Sequence, residues 1–368
     1  MDNIPFNNLY EGINPIYSEI MDKIGELIKT AEFIGGKEVE LFEKEYAEWT
    51  HTKYVVGASN GTDAIIIALK ALGVGPGDKV LVPDNTFIAT AEAVTAVGAE
   101  VDFIDIESDY YAMDPIQVEE YLKSTKGRNV KAIIPVHLYG QMANMPVLRE
   151  IADKYGIKVI EDSAQAHGSK LLGNQPGYWG DIATYSFYPG KNLGAFGDAG
   201  AIATNNPDLY KKCRMLVNHG RWHEKYTHEI EGYNMRLDTI QAAILRIKLQ
   251  YIDEWTQNRK EKVSKYLHLL AGIDSVISPR VRREAEPVWH IFPVLCKDRD
   301  STIERFKKAK ISYGIHYPVP LHLQPAYNYK SYRANDYPVA EMISSRELSL
   351  PLWPEINEDI LKYITECL

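Results

Sequence analysis

Cysteine is scarce. The three residues, Cys213, Cys296 and Cys367, are odd in number, far apart and without a CxxC pair. That argues against a disulfide framework and against a zinc or other metal site, and makes a reducing compartment the default. A surplus of positive charge is missing too. The 41 Lys and Arg against 50 Asp and Glu leave a formal net charge of −9, which argues against a general nucleic-acid or anionic-membrane binder. No stretch approaches the roughly 18 uninterrupted apolar residues of a membrane span. The opening residues MDNIPFNNLYEG lack the basic start and apolar run of a signal peptide. The expectation is a cytoplasmic protein that engages neither nucleic acid nor membrane. What the chain does have is length and apolar content: 368 residues, 45% hydrophobic, enough to bury a sizeable core in two or three units.

Short apolar runs alternate with helical patterns from about residue 54 to 205. The runs Tyr54–Ala58, Lys79–Pro83, Glu100–Ile106, Val130–Val136, Ile157–Glu161, Ala183–Phe187 and Ala199–Thr204 predict strands. Several are Val/Ile-rich without polar alternation, as in strands covered on both faces. Asp63–Leu72 and Met145–Tyr155 carry apolar residues at helical spacing. The alternation implies an α/β unit with a mostly parallel sheet, whose ligands sit at the carboxyl ends of the strands. From Arg236 the pattern changes: Leu237, Ile240, Ile244, Ile247, Tyr251 and Trp255 predict one long helix to about Arg259. Val288–Cys296 and Ile311–Tyr317 read as strands of a smaller α+β unit. The division is a large unit over 1–250, with the segment before about residue 30 free to pack elsewhere, and a small unit over 251–368.

Three constellations fall at the predicted sheet edge. Ser59-Asn60-Gly61-Thr62-Asp63-Ala64 follows a strand and opens a helix, where free N–H groups and the helix dipole favour a phosphate. Gly61 would let the backbone approach closely and Thr62 would add a hydroxyl, although an ordinary Ser/Asn cap explains the same letters. In Val159-Ile160-Glu161-Asp162-Ser163-Ala164-Gln165 an acid ends an apolar strand, where a buried carboxylate needs a cationic partner such as a pyridinium N–H. The alternative is a capping Asp. In Ser186-Phe187-Tyr188-Pro189-Gly190-Lys191-Asn192-Leu193-Gly194 a strand breaks and presents one lysine among Phe187, Tyr188, Leu193 and Phe196. Most lysines are solvated surface groups, but these surroundings lower an ammonium pKa and make the amine nucleophilic. Phe87 supplies a flat aromatic on the same edge, although taken singly it reads as a core residue. Together they form the set that pyridoxal phosphate requires.

With these motifs in this order, the sequence resembles the DegT/DnrJ/EryC1/StrS sugar aminotransferases, within the fold-type I (aspartate-aminotransferase-like) pyridoxal phosphate enzymes. The resemblance starts at Phe33-Ile34-Gly35-Gly36 and continues through Gly232-Tyr233-Asn234-Met235-Arg236-Leu237-Asp238 to His316-Tyr317-Pro318. It implies that Lys191 is the Schiff-base lysine and, once freed, the proton carrier. It further implies that Asp162 pairs with the pyridinium nitrogen, Gln165 bonds the phenolic oxygen, and Phe87 stacks on the ring. Gly61, Thr62 and Ser186 would hold the phosphate, joined by Asn234 from the second subunit of a homodimer with shared active sites. Tyr188, His316 and Tyr317 would line the hexose site, the alternative being that the His-Tyr pair packs within the small unit. In the basic loop before Asn234, Lys225 would neutralise the nucleotide diphosphate across the dimer interface, the alternative being that Lys225 and Arg221 are simply solvated charges. Lysine at position 191, where some members carry histidine and dehydrate instead, favours transamination, with pyridoxamine 5'-phosphate as the intermediate form. The implied reaction moves the amino group of L-glutamate to C3 of a nucleotide-linked keto-6-deoxyhexose, in the first place a dTDP-3-keto-6-deoxyhexose. Alternatives are amination at C4, a UDP-linked 3-keto sugar acid, a pyridoxal phosphate lyase or dehydratase, and, in another class, a non-catalytic cofactor-binding regulator.

Overall fold

The computed structural model describes residues 3–368. A seven-stranded sheet forms its centre. Its strands are β1 (Tyr54–Ala58), β2 (Lys79–Pro83), β3 (Glu100–Ile104), β4 (Val130–Ile133), β5 (Lys158–Asp162), β7 (Ile182–Ser186) and β8 (Gly200–Thr204), in the order β1-β8-β7-β5-β4-β2-β3. The five strands from β7 to β3 run parallel, while β8 is antiparallel to both of its neighbours. The segment 187–199 joins β7 to β8 without a helix, and so lacks the helical crossover by which parallel strands are usually joined. A two-stranded ribbon, β6 (Lys170–Leu171) with β10 (Ala285–Glu286), and a three-stranded sheet of β9 (Val276–Ile277), β11 (Phe292–Cys296) and β12 (Glu347–Leu350) complete the strands.

The helix Gly61–Ala71 follows β1 and buries Ala64, Ile65, Ile67, Ala68 and Leu69 against the sheet. With apolar side chains on most of its circumference, it belongs in the interior. A separate apolar cluster joins Val263, Tyr266, Phe292, Phe306, Leu348 and Leu361 around the three-stranded sheet. Ile4 belongs to that cluster and pairs with Ile311, whereas Ile16 and Ile20 pack on Ile244 and Ile247. The N-terminal segment therefore straps both regions. No helix among the described residues is long and apolar enough to cross a membrane.

Three expectations need correction. The long helix is two, Thr239–Leu249 and Ile252–Leu270, broken at Gln250–Tyr251. Periodicity missed the break because Ile247, Tyr251 and Trp255 all face one apolar cluster across it. The strand expected over Val288–Cys296 begins only at Phe292, because Trp289 adopts a left-handed backbone, φ 48°. Ile311–Tyr317 is not a strand. It makes two isolated bridges, Ile311 with Ile4 and Gly314 with Ser349, and its apolar residues pack without a continuous ladder.

Candidate active site

The carboxyl ends of β1, β2, β5 and β7 open onto one cavity of about 770 Å³. Gly61, Thr62, Phe87, Asp162, Gln165, Ser186, Tyr188, Lys191, His316 and Tyr317, ten of the residues singled out above, line it. Asn234 and Lys225 do not. Both are exposed on the same chain, in the segment 218–236.

Each wall has a local cause. Asn60 caps the helix Gly61–Ala71 by accepting the Asp63 N–H at 2.8 Å. The capping explanation is thus correct for Asn60, yet the preceding amides of Gly61 and Thr62 keep no acceptor among the described residues, and both residues line the cavity. A Cβ on Gly61 would stand 2.7 Å from Cβ of Ser186. The glycine keeps a cradle open that any side chain would fill.

Asp162 is the last residue of β5 and 5% exposed. Its carboxylate accepts Oγ1–H of Thr90 at 2.8 Å and the Ala164 N–H at 3.1 Å. It caps no helix; the Ala164 contact closes a local turn and leaves the carboxylate on the cavity wall. Gln165 accepts the Tyr139 N–H at 2.7 Å, which directs its amide nitrogen toward the Tyr317 hydroxyl at 3.4 Å. Phe87 is 55% exposed rather than part of the core, with its ring centre 5.9 Å from that of Tyr317.

Lys191 sits in the turn after β7, and its amide donates to the Tyr188 carbonyl at 2.8 Å. Burial drives its ammonium down from 10.5 to about 8, opposed by the negative charge of Asp162. Burial, together with the positive charge of Lys191, also drives His316 down to about 4 and His167 to about 3. These imidazoles are neutral at physiological pH. Burial likewise raises the Tyr317 phenol.

Sequence reasoning missed two supporting residues. Thr90, which holds Asp162, lies three positions beyond Phe87 at the start of the helix Ala89–Ala96. Tyr139 holds Gln165 through its amide and donates its hydroxyl to the His316 carbonyl. The Thr86-Phe87-Ile88-Ala89-Thr90 spacing offered a signal for the first. The second arises from a contact between remote segments.

A half-buried lysine, a strand-end carboxylate and free helix amides on one edge of such a sheet are the features of a fold-type I pyridoxal phosphate enzyme. The chain belongs to the DegT/DnrJ/EryC1/StrS aminotransferase family, whose model matches residues 14–368. It is 40% identical over 354 residues to the dTDP-3-amino-3,4,6-trideoxy-alpha-D-glucose transaminase of Streptomyces venezuelae, covering 96% of this chain and 92% of that one. It is also 40% identical over 364 residues to the dTDP-3-amino-3,6-dideoxy-alpha-D-galactopyranose transaminase of Aneurinibacillus thermoaerophilus, covering 99% and 98%. The crystal structure of NtdA from Bacillus subtilis with bound cofactor PMP superposes with a TM-score of 0.90 at 33% identity, over 100% of this chain and 86% of that one.

Proposed function

We propose that this enzyme transfers the amino group of L-glutamate to C3 of a dTDP-3-keto-6-deoxyhexose, with pyridoxal phosphate as cofactor. The observation that carries this reading is one cavity shared by the Lys191 amine, the Asp162 carboxylate and the free amides of Gly61 and Thr62. The two transaminases above, named for 3-amino 6-deoxy sugars, support the choice of sugar. The donor set fits the cofactor: an anion cradle, a carboxylate for a protonated ring nitrogen, an aromatic face at Phe87 and an amine. When bound, the cofactor supplies the electron sink for the carbanion chemistry.

The chain's own residues do the rest. Lys191 provides the amine that bonds the cofactor and, once released, moves a proton between the carbons being oxidised and reduced. Asp162, fixed by Thr90 and the Ala164 amide, offers its second lone pairs to a ring N–H. Gly61, Thr62 and Ser186 hold the phosphate. Tyr188, His316 and Tyr317 face the sugar. Asn234 and Lys225, exposed on this chain, act on the site of a second copy, Asn234 toward the phosphate and Lys225 toward the nucleotide diphosphate. L-Glutamate leaves as 2-oxoglutarate before the sugar nucleotide takes up the amino group.

Two measurements probe single residues. Gly61→Ala places a methyl against Ser186, and overpacking of this kind costs about 1–3 kcal/mol. Pyridoxal phosphate affinity is expected to fall roughly tenfold or more by this estimate. Thermal stability should fall as well, because alanine's helix preference of up to about 1 kcal/mol offsets only part of the overpacking. Equilibrium dialysis beside a melting curve separates the two effects. The second probe is pH. Only the neutral amine reacts, so capture of pyridoxal phosphate by the cofactor-free protein should rise about tenfold per pH unit below about 8 and level off above it. A solvated lysine at 10.5 would still be rising. Because Asp162 raises the Lys191 pKa, Asp162→Asn should move the midpoint downward.

The reading as a whole is tested with the protein carrying pyridoxal phosphate. L-Glutamate alone should bleach the visible cofactor band and release one equivalent of 2-oxoglutarate. A dTDP-3-keto-6-deoxyhexose should then yield a product whose NMR spectrum places the amine on C3. No release of 2-oxoglutarate overturns transamination from glutamate. An amine on C4, or turnover only with a UDP-linked 3-keto sugar, overturns the substrate assignment alone.

A further inference from the structure

On the other side of the Lys191 turn lies a second, smaller cavity of about 50 Å³. Among the described residues, Lys191 is the only one that lines both cavities. Its other walls include Lys248, Trp255, Arg259, Asn8 and Glu355. Lys248 is 6% exposed and Arg259 4%, which makes them two buried cations on one small void.

Their partners do not balance them. The Lys248 ammonium donates to the Gly194 carbonyl, and the rings of Phe196 and Trp255 lie 5.6 and 6.0 Å away. Burial alone lowers it to about 8, with no carboxylate acting on it. Arg259 uses one nitrogen, Nη1, for the carbonyls of Trp289 and Leu352 at 3.3 and 3.2 Å. Among the described residues its Nη2 and Nε donate to no protein atom, and its one carboxylate neighbour, Glu355, is exposed and forms no ion pair with it. A buried charge is ordinarily matched by a counter-charge, because leaving it unmatched costs several kcal/mol. Carbonyl oxygens and ring faces offset part of that cost, not the net charge. A void of this size admits a small ion with a water molecule and excludes a sugar nucleotide.

We infer that this cavity is a binding site for a small monovalent anion, a halide or a carboxylate group, held between Lys248 and Arg259 behind the turn that carries Lys191. The site draws together the N-terminal strap at Asn8, the helix Ile252–Leu270 through Arg259, and the lysine turn. Its occupant bears on the fold at the point where the amine is presented.

The test uses the full chain with its cofactor, in potassium gluconate as the reference salt. Bromide replaces gluconate at constant ionic strength while thermal unfolding is followed, and crystals grown in bromide are measured at the bromine absorption edge. The expected result is a saturable rise in melting temperature and an anomalous peak between Lys248 and Arg259. Lys248→Met, which keeps the side-chain length in apolar surroundings, should weaken the bromide response at least tenfold. Absence of a peak in the cavity of the unaltered protein, together with a melting temperature that follows ionic strength only, overturns the assignment whether or not the variant folds. Competition then identifies the source. Formate displacing bromide where L-glutamate does not marks a free small anion, and displacement by L-glutamate marks the donor's carboxylate; either supports an anion site.

Discussion

Lys191→Ala is expected to lower transamination by at least about 10³-fold while the protein still folds and retains some pyridoxal phosphate. The loss combines two roles. A positioned proton carrier alone is worth about 10²–10⁴-fold, and the same amine is the nucleophile that bonds the cofactor. Folding should be spared, because no hydrogen bond among the described residues depends on the Lys191 side chain; only its backbone amide is used, to the Tyr188 carbonyl. Removing a half-buried ammonium also removes its desolvation cost, so the melting temperature of the cofactor-free protein should hold or rise. Lys191→Arg is the companion variant. It keeps a positive charge opposite Asp162 but has no amine that deprotonates in this range, so it should be as inactive as the alanine variant. Stopped-flow absorbance with L-glutamate, with assay of 2-oxoglutarate, measures both. Near-normal rates in either variant would remove Lys191 from the chemistry.

Much of this site was legible because its main residues sit where strand ends meet turns. Asp162 closes β5, and the Lys191 turn follows β7 directly; a run of apolar residues followed by an acid, or by Pro-Gly, marks each place in one dimension. The sheet strands were legible for the same reason, and the strands β1 and β2 have the boundaries that the apolar runs indicate. The reversed direction of β8 was not legible, because apolar patterning does not encode strand direction and the 187–199 connection is long enough for either pairing. Other features have no local signature. Thr90 and Tyr139 act through contacts with segments 72 and 26 residues away. Lys248 and Arg259 read as ordinary polar positions of helices, and packing against remote segments, among them the N-terminal strap and the lysine turn, buries them. Periodicity also joined two helices across Tyr251, because it reports which side faces the core and not where the backbone turns.

Asp162→Asn tests the second of the proposed roles. The asparagine has almost the same shape, and its carbonyl oxygen can still accept the Thr90 hydroxyl or the Ala164 amide. What it lacks is the negative charge. Without that charge a ring nitrogen facing position 162 no longer holds a proton, and the electron sink weakens when the Cα–H bond breaks. Losing one preorganised electrostatic contact of this kind costs about 10²–10³-fold in kcat, so the variant should turn over at that fraction while binding the cofactor within a few-fold of normal. The effect should fall on kcat more than on KM for L-glutamate, since a contact that matters in the transition state and little in the ground state shows in that way. Thr90→Ala provides the graded control. It removes one hydrogen bond that holds the carboxylate but leaves the charge, and its deficit should be smaller than that of Asp162→Asn. A Thr90→Ala deficit equal to or larger than that of Asp162→Asn would mean that carboxylate placement, not its charge, governs the rate. An Asp162→Asn enzyme with unchanged kcat would place the charge outside the chemistry altogether.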